Sequence, residues 1–158
     1  MQFKGLTYIA AAAVVVSACG GGGTTGGLDV EQQFSVALSP ANEVPTPKPT
    51  SASGVADVIV YPDRVDFQVT GTSITGVTMA HIHNGPVGVA GPIFVTLYAP
   101  GSPTGAINGV IVSGSLNSTN LPSGVTLAAL KALLASGNAY VNVHTTANPS
   151  GEMRGQLK

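Results

Sequence analysis

Histidine occurs at 81, 83 and 144 and nowhere else in the 158-residue chain. Side chains at i and i+2 of an extended strand share a face. His81-Ile82-His83 therefore presents two imidazoles side by side and turns Ile82 the other way. In Tyr140-Val141-Asn142-Val143-His144 the same rule sets His144 on one face with Asn142 and Tyr140, and Val141 with Val143 on the opposite one. If these strands are neighbours, His81, His83 and His144 converge on one ion. Neutral imidazole nitrogens suit copper or zinc rather than hard cations. Copper is the preferred ion and zinc the second choice. Met79, two residues before His81 on the same strand face, is a candidate axial thioether, with core packing the competing role for it and for Met153.

Positioning such a cluster requires strands, and the sequence supplies them. Short β-prone runs separated by Gly, Pro, Asn and Asp recur from residue 32 onward, which predicts an antiparallel sandwich or barrel. The expected strands are 34–38, 54–61, 64–69, 76–83, 93–98, 109–116, 139–144 and 152–157. Pro62-Asp63 marks a hairpin turn, and Asn148-Pro149-Ser150-Gly151 marks another between the last two strands. In the third run Val65, Phe67 and Val69 point one way and Asp66, Gln68 and Thr70 the other, giving one core face and one wet face. One short helix interrupts the pattern, with Leu127, Leu130, Leu133 and Leu134 at helical spacing, Thr126 as N-cap and Gly137 at the left-handed C′ position. The Pro-rich stretch 45–49 reads as a loop after the first strand.

Charge excludes one class of partner. The chain carries six Lys and Arg against seven Asp and Glu, with no basic cluster, so nucleic acid is not expected. Glu43, Glu152 and Arg154 are candidates for a buried ion network locking the terminal hairpin. No Gly-x-Ser-x-Gly elbow, P-loop or dinucleotide glycine pattern is present, so catalytic residues are not assigned.

The N-terminus reads as an export signal. Lys4 precedes an uncharged run from Leu6 to Ala18 that is too short to span a bilayer. Val16-Ser17-Ala18-Cys19 resembles the bacterial lipobox, which implies cleavage before Cys19 and lipidation of the only cysteine. Residues 1–18 are then the signal peptide, 19–31 a lipidated, Gly-rich tether and 32–158 a single domain. Such a protein is anchored in the bacterial cell envelope, in the outer membrane if the source is Gram-negative. Lipidation also removes the sole thiol, so metal chemistry rests on the histidines.

Longer motifs cover the domain. Ala80-His81-Ile82-His83-Asn84-Gly85-Pro86, Gly88, Gly91-Pro92, Tyr140 to Thr145 and Asn148 to Gln156 resemble the CHRD domain, and Asn42-Glu43-Val44-Pro45 resembles its N-terminal element. The resemblance runs from about Phe34 to Leu157 and implies an extracellular β domain with no established catalysis, compatible with an adhesion or protein-interaction module. In that alternative the histidines support the loop Asn84 to Pro92. A more distant likeness, to copper/zinc superoxide dismutase, implies a Greek-key sandwich in which His81, His83 and His144 hold copper. The chain departs from that family in having no fourth histidine, so a zinc-bridged dismutase is not expected. A metal-dependent reaction with oxygen species remains the third reading.

Overall fold

Turn chemistry and β-prone runs produce eight strands, one α-helix and a single 3-10 turn at Pro40–Asn42 in the computed structural model, which describes residues 29–158. The expected signal peptide, Cys19 and most of the tether lie outside the described residues. The strands are β1 (Gln32–Leu38), β2 (Ser53–Val60), β3 (Arg64–Thr75), β4 (Val77–Asn84), β5 (Ile93–Tyr98), β6 (Ala106–Asn117), β7 (Ala139–Thr145) and β8 (Met153–Gln156), with helix α1 (Leu127–Ala135) between β6 and β7. Tyr61 N–H donates to Arg64 O at 2.8 Å across Pro62-Asp63, closing the β2–β3 hairpin. Gly151 N–H donates to Asn148 O at 3.1 Å in the turn before β8.

Two four-stranded antiparallel sheets result, ordered β1-β2-β3-β6 and β5-β4-β7-β8. The all-β sandwich expected from the sequence is therefore present. The chain crosses between the sheets after β3 and again after β5, so β6 returns beside β3, a Greek-key path. β3 and β6 are each twelve residues long and exceed their expected lengths, because irregularities at Val69/Thr70 and Gly71/Ile74 let the ladder bend and continue.

The main core lies between the sheets. Val58, Val60, Val65 and Val69 from one side meet Ala80, Ile82, Val141 and Val143 from the other, all nearly fully buried. Helix α1 closes one end: Thr126 Oγ1 accepts from Ala129 N at 3.1 Å, Gly137 takes φ 70°, and Leu130, Leu133 and Leu134 enter the core. Lys131 Nζ donates to Tyr61 O at 3.3 Å and fastens the helix to the β2–β3 turn.

The two sheets differ on their outer faces. Along β3, Gln68 is exposed and Asp66 half-buried, as alternation predicts. Every residue of β7 is buried, and so is the run Ala80 to His83 of β4. The outer face of the second sheet is a second interior, roofed by the segments after β1, between β4 and β5, and between β7 and β8.

Candidate metal centre

β4 and β7 are antiparallel neighbours, in a register that pairs Met79 with His144, His81 with Asn142 and His83 with Tyr140. β7 in turn pairs Asn142 with Arg154 and Tyr140 with Gln156 on β8. Because Ile82, Val141 and Val143 occupy the inner face, alternation sends the three histidines together to the outer one. They are buried there, with 2 % of His81 and 8 % each of His83 and His144 exposed.

One ligand atom from each imidazole lies within 4.8 Å of the other two. His81 Nδ1 and His144 Nε2 are 3.0 Å apart. Two nitrogens at about 2.0–2.1 Å from a common ion stand about 3.0–3.5 Å apart, so this pair is already spaced for a shared ion. Backbone carbonyls hold the rings: His83 Nδ1 lies 2.9 Å from Gly91 O, and His144 Nδ1 lies 2.9 Å from Pro149 O. A carbonyl can only accept, so both rings carry their proton on Nδ1 and keep a lone pair on Nε2. His83 Nε2 is buried with no hydrogen-bond partner. His81 Nδ1–H then donates to His144 Nε2, and an ion held by both nitrogens would take the place of that proton, which would leave the site or move to His81 Nε2.

Electrostatics keep the cluster neutral. Burial depresses His81 to about 4, and the neighbouring His144 and His83 push the same way. Burial lowers His83 against the opposing bond to Gly91, and lowers His144 against the bond to Pro149. Neutral imidazoles at neutral pH are the form that ligates a metal.

The loop between β4 and β5 is built close to the site. Gly91 fits because a Cβ there would collide with Asn84 O and Asn84 C. Tyr140 hydroxyl accepts from Gly91 N at 3.0 Å, and its ring stacks on His83 with centroids 4.7 Å apart and planes 8° from parallel. Arg154 lies over the Tyr140 ring at 3.4 Å and donates to Val89 O at 2.9 Å and Pro86 O at 3.0 Å.

The expected ion network is replaced by separate hydrogen-bonded groups. Glu43, Glu152 and Arg154 are all buried, yet among the described residues no ion pair joins any two of them. Arg154 spends its donors on loop carbonyls. Glu43 accepts from Asn142 Nδ2 at 2.9 and 2.8 Å, and burial pushes its carboxyl up to about 7 despite the charge of Arg154 and the Asn142 bonds. Glu152 precedes β8 and accepts from Thr145 at 2.6 Å, from Asn148 at 2.8 Å and from Thr50. Burial opposes its ionisation, but those three bonds prevail and hold it below the usual carboxylate range.

Of Met79 and Met153, the latter is fully buried in the core, as its packing role requires. Met79 is not packed away: it is 39 % exposed, opposite His144 in the register, on a groove formed with Thr78 and residues 99–103. Sequence reasoning passed over Tyr140 and Asn142 as functional residues, although their alternation with His144 had already put them on its face. The carbonyls of Gly91 and Pro149 carry no side-chain signature and could not have been found that way.

No curated protein and no solved structure matches the chain. The family model of the CHRD domain matches residues 34–157, from β1 through the residue after β8. That span contains all three histidines, both carboxylates and Arg154, and by it the chain belongs to the CHRD domain family.

Proposed function

We propose that the domain binds one copper ion through His81, His83 and His144, on a lipid-anchored protein of the bacterial cell envelope, for sequestration, delivery or a minor redox role. The observation that carries this is the buried lone pair of His83 Nε2 beside two imidazole nitrogens already 3.0 Å apart. An unpaired buried acceptor is costly, and a cation offsets that cost directly. The carbonyl partners of the opposite ring nitrogens orient the ligands, as outer-shell groups do in metal sites. Copper leads over zinc because nitrogen sites bind it more tightly and because Met79 on β4 offers a soft thioether nearby in sequence. The lipobox-like Val16 to Cys19 supports the anchor.

Copper titration of the purified domain, followed by electron paramagnetic resonance, tests the site. One equivalent bound with coupling to imidazole nitrogen is expected, and His81→Ala with His144→Ala should abolish it. Absence of nitrogen coupling, or undiminished binding in the double variant, overturns the assignment. Incorporation of labelled palmitate into wild-type cells but not a Cys19→Ala strain tests the anchor separately.

A protein-interaction module is the second reading, and it rests on the bond from His83 to Gly91, which braces a loop whose Val87 and Val89 are 62 % and 50 % exposed. A chelator separates the two: it lowers the melting temperature of a metal-holding domain and leaves that of an interaction module unchanged.

A further inference from the structure

We propose that Asn142 marks the fourth position of the metal centre, its Oδ1 accepting a hydrogen bond from a water bound to the ion, with Glu43 fixing that orientation. This rests on the three-histidine reading and adds a positioning residue to it.

Asn142 is central on the outer face of the second sheet. It lies directly opposite His81 on β4, opposite Arg154 on β8, and two residues before His144 on its own strand. Its side chain is 3 % exposed. Nδ2 is committed to both carboxylate oxygens of Glu43, at 2.9 and 2.8 Å. The two ends of an amide point apart, so this contact turns Oδ1 away from Glu43. Oδ1 is buried and meets no hydrogen-bond donor. Gly151 presses on the pair from above: its φ of 139° favours glycine, and a Cβ there would collide with Glu43 Oε2 and Asn142 Nδ2. The amide is thereby held in one orientation.

The unsatisfied atoms of this layer share one character. His83 Nε2 and Asn142 Oδ1 are both electron-pair donors without a partner. The nearby N–H groups are spent elsewhere: the Nδ1–H of His83 on Gly91, that of His144 on Pro149, and the Arg154 guanidinium on Pro86, Val89 and Gln156. A hydrated cation answers both atoms at once, since the metal takes the nitrogen lone pair and its water offers O–H to the amide oxygen. Three imidazoles also leave one position of a four-coordinate ion for that water.

The test uses the Cu(II)-loaded domain and electron–nuclear double resonance in H₂O and D₂O, where a coordinated water gives strongly coupled protons that exchange. Wild type should show three nitrogens and the exchangeable protons. Asn142→Leu should keep the nitrogens, weaken the proton coupling and lower copper affinity about tenfold. Glu43→Gln, which lets the Asn142 amide turn over, should shift the same coupling and serves where Asn142→Leu does not fold. Wild-type proton coupling and affinity in the folded variants overturn the proposal. Three nitrogens without exchangeable protons in wild type also overturn it alone, whereas a wild type with no nitrogen coupling overturns the three-histidine reading beneath it.

Discussion

The two sheets solve the same problem differently. In the β1-β2-β3-β6 sheet one face packs and the other meets water, so its chemistry ends at ordinary solvated side chains such as Gln68 and Asp66. In the β5-β4-β7-β8 sheet both faces are covered around β4 and β7: the inner by aliphatic residues, the outer by three histidines, Tyr140, Asn142 and Arg154 under a roof of loops. Covering a polar face is unfavourable unless its groups are paired. The loops therefore bring carbonyls and carboxylates to meet the side chains, and the atoms left unpaired fall among the histidines. A sandwich that buries a polar layer outside its main core has built a site there.

The contrast is sharpened most by removing its foundation. Ile82 is fully buried on the inner face between His81 and His83. Ile82→Ala is expected to lose about 2–5 kcal/mol in urea unfolding. A loss below about 1 kcal/mol would mean that the aliphatic face is not what holds β4 in place.

Metal comes next. Loading the domain with copper at 100 times its Kd should add about 2.7 kcal/mol of stability, all of it removed by a chelator. Amide hydrogen exchange should slow along Tyr140 to Thr145 on loading by more than it does along β2 and β3. Equal protection of both sheets would erase the distinction between them.

The carboxyl of Glu43 gives a smaller, pH-dependent effect. Its folded value, about 7, lies above the unfolded 4.5, chiefly through burial. Between these values the folded state holds the proton and the unfolded state releases it, so the Glu43 contribution to stability falls as pH rises from about 4.5 to about 7 and is level above that, opposite in sign to the buried histidines, whose lowered values make stability rise with pH up to their unfolded 6.5. The loss amounts to about 1–3 kcal/mol once residual solvent near the carboxyl is allowed for. Glu43→Gln removes this opposing contribution, so unfolding stability should rise more steeply with pH across the window than in wild type, and an unchanged slope would place the titrating group elsewhere.

How much of this was legible in the sequence follows from what is local. The pairing of His81 with His83 and the face of His144 follow from strand periodicity alone, the β2–β3 turn from Pro62-Asp63, and helix α1 from leucines at helical spacing between Thr126 and Gly137. That β4 and β7 are neighbours is a long-range fact carried by the Greek-key path, and alternation can only pose it as a condition. The roof was the least legible part. Arg154 reaches carbonyls of Pro86 and Val89, and Glu43 reaches Asn142 from a loop 99 positions away, so each meets a backbone or uncharged partner where charge alone suggested an ion pair.

The smallest expected effect compares one residue type on both outer faces. Gln68 lies on β3 with its side chain exposed, and its replacement by Ala should change stability by no more than about 0.5 kcal/mol. Gln156 lies on β8, where its Nε2 donates to Gly85 O at 3.0 Å and to Gly137 O at 2.9 Å, tying the β4–β5 loop to the end of helix α1. Gln156→Ala leaves the carbonyls of buried Gly85 and half-buried Gly137 without that donor and should cost about 1–2 kcal/mol. Measured side by side by chemical unfolding, the two glutamines should differ although chain chemistry makes them identical. Equal losses would mean that water satisfies Gly85 and Gly137 as readily as Gln156 does, and that the roof over the second sheet is held by Arg154 and the histidines alone.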